Sequence, residues 1–310
     1  MRWLEQVAGG QTRGPDPAVA AVKSYRYLRL AMVAMVLGLA VAVVHEVLRA
    51  DGNCWQTSLS GYYYTPVRNL FVGALVAIGV CLVSLKGNTD SEDVLLNFAG
   101  ICAPFVALVP IHDPGACGVV TDDLNRDLNI ANNVTALLAV FGAALIALAA
   151  LWWHNRRSAN DEPPPTRIEI LGYAASVLVL LAAVAVFRLR PEWFDRYGHP
   201  VAAIAMFAFV FVNVVVNAVN IYYERRHTDA PVRRLNRYTW IALAMAACVV
   251  GSLLLGWRGV EHWLLVIEAG LIGCFAVFWA AQTGELWNQG LRKEPASEDA
   301  SGSGLGTRTR

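Results

Sequence analysis

The sequence predicts an all-α polytopic membrane bundle of eight transmembrane helices with both termini cytoplasmic. Three observations lead there. A mean hydropathy of +0.44 goes with 56% hydrophobic and only 16% charged residues, against roughly 25% charged in globular chains. The apolar residues gather into stretches of about 20, the length that crosses roughly 30 Å of hydrocarbon. The basic residues then segregate: 18 of the 25 Lys and Arg fall on one side of the eight spans, the side that the positive-inside rule makes cytoplasmic.

The expected spans are Tyr27–Leu48, Val67–Leu85, Val94–Ile111, Val134–Trp153, Ile168–Phe187, Val201–Tyr222, Thr239–Trp257 and Trp263–Gln282. Runs such as Leu39 to Val44 are apolar all round, as a lipid-facing helix is and a soluble one is not. In lipid each backbone must satisfy its own hydrogen bonds, so helices are the form these lengths allow. Residues 1–24 form a cytoplasmic segment with Gly, Pro, Arg and Asp but no signal-peptide core, so the first span is expected to remain in place. Residues 25–155 make a first four-helix half. Residues 156–167, with Pro163-Pro164-Pro165, read as a stiff cytoplasmic linker. Residues 168–289 make the second half, and 290–310, rich in Ser, Gly, Glu and Thr, read as a disordered cytoplasmic tail.

The orientation follows from where the charges lie. Arg2, Arg13, Lys23, Arg26 and Arg29 precede or open the first span, and Lys86 joins the second and third. Arg156, Arg157 and Arg167 join the fourth and fifth, and Arg225, Arg226, Arg233, Arg234 and Arg237 join the sixth and seventh. Arg292, Lys293, Arg308 and Arg310 follow the eighth. An even number of spans separates each cluster from the next. Trp and Tyr at span ends, Trp153, Trp193, Tyr223, Trp257 and Trp287 among them, sit at the depth where an apolar ring with one polar edge belongs.

Of six cysteines, Cys81, Cys102, Cys248 and Cys274 lie within spans and read as small apolar residues. Cys54 and Cys117 lie in the two longest outer loops, on the oxidising side, and are expected to form a disulfide.

The polar groups near the outer face are the candidate site. Glu268 lies in an otherwise apolar stretch, where an ionisable group costs about 2–3 kcal/mol unless paired, protonated or facing water. Arg68 opens the second span after Tyr62, Tyr63 and Tyr64, which could stack on a ligand. Glu268 and Arg68 share a depth, and Glu268 is expected to face the bundle interior and to pair with Arg68 directly or through water. His45, Glu46, His112 and His262 complete the expected ligand-binding set, with His199 and Asp113 at the same outer ends. No pair of these has the spacing of two metal ligands on one helical face, so no metal and no cofactor is expected. Asn213, Asn217 and Asn220 recur on one face of the sixth span and read as interhelical hydrogen-bonding groups. Gly73, Gly79, Gly142 and Gly270 read as close-packing positions.

The runs Ser60 to Gly73, Glu92 to Gly100 and Phe278 to Trp287 resemble segments of uncharacterised bacterial multi-pass integral membrane proteins. That resemblance implies a bacterial plasma membrane and transfers no activity. The Ser, Asp and paired-His pattern of membrane ceramidase-like hydrolases is missing.

The function these features suggest is binding or moving a small or lipidic ligand through an outward-facing polar pocket. An integral-membrane metal-dependent hydrolase using Ser58 or Ser60, Asp113 and outer histidines is one alternative. A structural or assembly subunit without ligand chemistry is the other. The partners expected are the lipid bilayer and a small-molecule or lipid ligand. Nucleic acid is not one, because the basic residues are segregated to one membrane side rather than gathered into a binding patch. The sequence sets no oligomeric state.

Overall fold

The computed structural model describes residues 16–50, 54–112, 117, 125–158, 164–226 and 235–292. The first 15 residues, the middle of the Pro-rich linker, Asp113, His227 and the tail from Lys293 lie outside them. Among the described residues the chain is all-helical. Eight α-helices run in order: α1 (Pro17–Arg49), α2 (Arg68–Ser84), α3 (Asp90–Leu108), α4 (Arg126–Arg157), α5 (Arg167–Leu189), α6 (Pro191–Arg226), α7 (Arg237–Trp257) and α8 (Trp263–Glu285). A short 3-10 turn, Ser60–Tyr64, precedes α2. Seven of the eight helices are long and apolar enough to cross a membrane, and α2 is an apolar helix of 17 residues. The chain is a multi-pass helical membrane protein.

Each expected span has its helix, but several helices start earlier than their apolar stretch. Asp16 caps α1 by accepting from the Ala18 N–H at 3.0 Å, with Pro17 in the first turn. Proline suits that position because its missing N–H would have no helical partner there anyway. The same chemistry starts α6 at Pro191, ten residues before the expected Val201, leaving Arg190 alone between α5 and α6. Phe187 and Phe194 meet edge to face across that bend, centroids 5.2 Å apart. Thr166 and Glu169 form a capping box at the start of α5, each side chain accepting from the other's backbone N–H.

The two halves of the chain do not pack as separate units. One core draws Met32 and Val36 of α1, Leu82 of α2, Val214 of α6 and Trp279 of α8 together. The largest helix contacts are α2 with α3 and α3 with α6. Helices α4 and α5 pack on the flank of this core, and α5 has no buried residue. Its side chains Leu171, Leu178 and Leu181 are exposed, as a lipid-facing helix requires, since tails are as apolar as leucine.

Close backbone approach explains two of the four glycines singled out. A Cβ on Gly79 would lie 2.7 Å from the Gly100 carbonyl, so α2 and α3 touch there through their backbones. One on Gly270 would meet the Cys248 sulfur at 2.8 Å, between α8 and α7. Gly73 has nothing within 4 Å and Gly142 makes ordinary contact, so neither marks a tight crossing.

The helix ends gather into two clusters. One, the disulfide end, joins the end of α1, the 3-10 turn and the starts of α2, α4, α6 and α8 to the end of α3. The other, the Lys86 end, joins Arg26 and Arg29 of α1, Lys86, the start of α3, the end of α6, the start of α7 and the end of α8. The sequence reading pairs the helix ends in the same way.

Candidate functional site

The disulfide end is filled by its own connection. Cys54 and Cys117 are disulfide-bonded, Cα atoms 5.6 Å apart, closing 63 residues of chain. Just after Cys54 the chain turns into the bundle, and Gln56, Ser58, Ser60, Thr65 and the three tyrosines are all buried. A loop this deep must place its backbone polar groups somewhere. Thr57 offers its carbonyl to the Leu265 N–H of α8 at 3.0 Å, which satisfies one of the donors left open at a helix start. Gln56 donates to the Cys117 carbonyl, tying the loop to the second cysteine.

Glu268 completes the loop's bonding from the other side. Its Oε2 accepts from the Leu59 N–H at 2.5 Å and more distantly from the Ser60 N–H at 3.4 Å. Its Oε1 lies 3.1 Å from the Ser60 hydroxyl. Ser60 Oγ is in turn 2.9 Å from His199 Nε2, and His199 Nδ1 is 2.6 Å from the Val109 carbonyl oxygen. The side chain thus faces the bundle, as expected. No direct bond joins it to Arg68, however. The Arg68 guanidinium donates to the Tyr63 hydroxyl at 2.6 Å and lies over the same ring, 4.2 Å from its centroid. The expected direct pairing gives way because backbone N–H groups of the inserted loop reach the carboxylate directly.

The other expected residues are spread around this centre. Tyr62, Tyr63 and Tyr64 are buried, 1%, 3% and 4% exposed. Burial pushes the Tyr62 phenol above its ordinary range. Tyr64 donates to the Ile111 carbonyl at 2.6 Å. Glu46 is buried and holds Arg49 at 2.8 Å, one turn along α1. His45 is exposed. His112 is exposed as well and meets Asp195 at 3.0 Å; Arg126 pairs with the same carboxylate. His262 is partly buried beside α8. Among the described residues, no three His, Cys, Asp or Glu side chains gather as metal ligands.

Sequence reasoning did not place His199 in the ligand set, because it precedes the apolar stretch of the sixth span. The Pro191 helix start carries it more than two turns into α6, where it is 3% exposed. Ser60 was legible only as one of two serines in a loop.

Asn217 and Asn220 bond to other helices as read, whereas the Asn213 side-chain oxygen does not. Asn217 donates to the Asn213 carbonyl at 3.0 Å and accepts from Gln282 of α8 at 3.2 Å. Asn220 donates to Glu92 of α3 at 2.9 Å.

The chain matches no family model, no curated protein and no solved structure. The comparisons therefore add neither an activity nor a bacterial origin to what the helices show.

Proposed function

We propose that this chain is an eight-span plasma-membrane protein with cytoplasmic termini that binds or moves a small ligand at the disulfide end. In this reading the inserted loop is the moving part, and Glu268 with His199 is a one-proton carrier. The observation that supports it is the Glu268–Ser60–His199–Val109 chain.

Proton counting gives the reason. The Val109 carbonyl can only accept, so His199 Nδ1 carries a proton. Ser60 has one hydroxyl proton for two neighbours. If His199 is neutral, bare Nε2 takes that proton, and Glu268 must be a carboxylic acid donating to Oγ. If His199 is an imidazolium, Nε2–H donates to Oγ, and the hydroxyl donates to a carboxylate. The two arrangements differ by moving one proton along Ser60. Without that proton, one contact becomes lone pair against lone pair, and the loop loses a bond to α8 or α6. Intramembrane ionisable groups that line such chains mark proton-relay and ligand sites.

A serine hydrolase is the second reading, since Ser60 and His199 are at nucleophile–base distance. It is disfavoured because the acid sits on the serine, whereas a triad needs it on the far nitrogen of the histidine. Ser60 is also 4% exposed.

Amide hydrogen exchange of residues 54–67 in lipid nanodiscs, measured across pH, tests the proposal. Protection should fall as pH rises through loss of the shared proton. Glu268→Gln, whose amide donates to Ser60 at every pH, should stay protected. Protection independent of pH in the wild type would refute it. Reporter fusions after Arg157 and within the α6–α7 connection should read cytoplasmic; an external reading at either would refute the orientation.

A further inference from the structure

At the Lys86 end, a narrow cleft between α1, α3, α6 and α8 is lined by Arg29, Lys86, Glu92, Asn213, Trp279 and Gln282. Three of its polar atoms have no hydrogen-bond partner: Arg29 Nε, Trp279 Nε1 and Asn213 Oδ1. All three side chains are buried, each residue 2% exposed. Buried polar atoms are nearly always satisfied, so three orphans on one cleft indicate something that satisfies them.

The charges say what kind of group it is. Glu92 already has its bonds: Asn88 donates to it through N–H and side-chain amide, both at 3.0 Å, and Asn220 donates at 2.9 Å. Lys86 is paired with Asp93, a contact that raises its affinity for its proton. Arg29 has no carboxylate partner among the described residues; its Nη2 donates only to the Gly290 carbonyl, at 2.8 Å. Among the described residues, the cleft thus holds one buried cation, Arg29, with no carboxylate bonded to it.

We propose that this cleft binds a small oxyanion that carries its own hydroxyl, of the class of hydrogencarbonate or hydrogenphosphate. Its charged oxygen accepts from Arg29 Nε and Trp279 Nε1, and its O–H donates to Asn213 Oδ1. An acceptor-only anion would leave the asparagine oxygen unsatisfied. As it stands the cleft has room for about one water, so an anion of three or four oxygens enters only if the helices part around it. The site is separate from the disulfide end, so its success or failure leaves the proposed function untouched.

The test is equilibrium binding to the full chain in nanodiscs, at fixed pH and ionic strength. The probes are sodium hydrogencarbonate, sodium phosphate, nitrate and chloride. Saturable binding of at least one of the first two, tighter than either nitrate or chloride, is expected, and which one it is distinguishes the two sources. Arg29→Gln and Asn213→Leu should each weaken it about tenfold or more. Trp279→Phe, which keeps an aromatic ring but loses the N–H with part of the indole, should weaken it about fivefold, with an unchanged far-UV circular dichroism spectrum as the check on folding. No saturable binding by folded protein would mean ordinary water in the cleft and would overturn the proposal. So would nitrate or chloride binding as tightly, or Trp279→Phe binding unchanged.

Discussion

Replacing Ser60 by alanine isolates the link between the inserted loop and the bundle. The hydroxyl bridges Glu268 Oε1 at 3.1 Å and His199 Nε2 at 2.9 Å. Its removal leaves those two atoms too far apart to bond each other without movement. A buried polar group left unpaired costs about 1–3 kcal/mol. Two such groups give about 2–6 kcal/mol, and the lower part applies because Glu268 keeps the Leu59 N–H. Ser58→Ala is the comparison: it removes one bond within the turn, to the Gly61 N–H at 3.0 Å, and should cost about 1 kcal/mol. Glu268→Gln keeps every contact through its amide and should cost under about 1 kcal/mol. Reversible unfolding in mixed micelles, followed by far-UV circular dichroism, ranks the three. A Ser60→Ala loss below that of Ser58→Ala, or a Glu268→Gln loss equal to it, would refute the bridge.

Reducing the disulfide, or Cys54→Ser with Cys117→Ser, should cost about 4 kcal/mol on the chain-entropy account for a closed loop of 63 residues; thiol alkylation of unreduced, folded protein should label neither cysteine. Gly79→Leu should destabilise by about 1–3 kcal/mol, since its Cβ would lie 2.7 Å from a backbone oxygen that cannot yield as a side chain would; unchanged thermal stability would count against the α2–α3 contact. Stability should fall in strongly alkaline solution. Lys86 (bonded to Asp93) and Tyr62 (buried) both hold their protons more tightly folded than unfolded. Their contribution is complete below the ordinary range of each group and is lost as pH rises through the folded values; Tyr62→Phe should flatten that decline when unfolding is followed against pH.

What the sequence by itself determined is what the bilayer reads one residue at a time. Eight helices follow from apolar length, because lipid offers no hydrogen bonds and each segment must close its own. The grouping of helix ends follows from the alternation of those segments, and the Cys54–Cys117 bond from two cysteines left in the two longest loops on one side. The structure alone decided where helices begin and what meets inside. The Asp16 cap with Pro17, and Pro191 in a first turn, start α1 and α6 before their apolar stretches, and hydropathy registers neither. That extension buries His199, which the sequence places only at the outer end of the sixth span. Glu268 was legible as an anomaly, because its cost is set by depth. Its partners were not: Leu59 and Ser60 contribute backbone N–H groups, and every residue but proline has one. Hydropathy sums over a window of 20 residues, whereas a hydrogen bond is made or lost within a few tenths of an ångström, and only packing sets that distance.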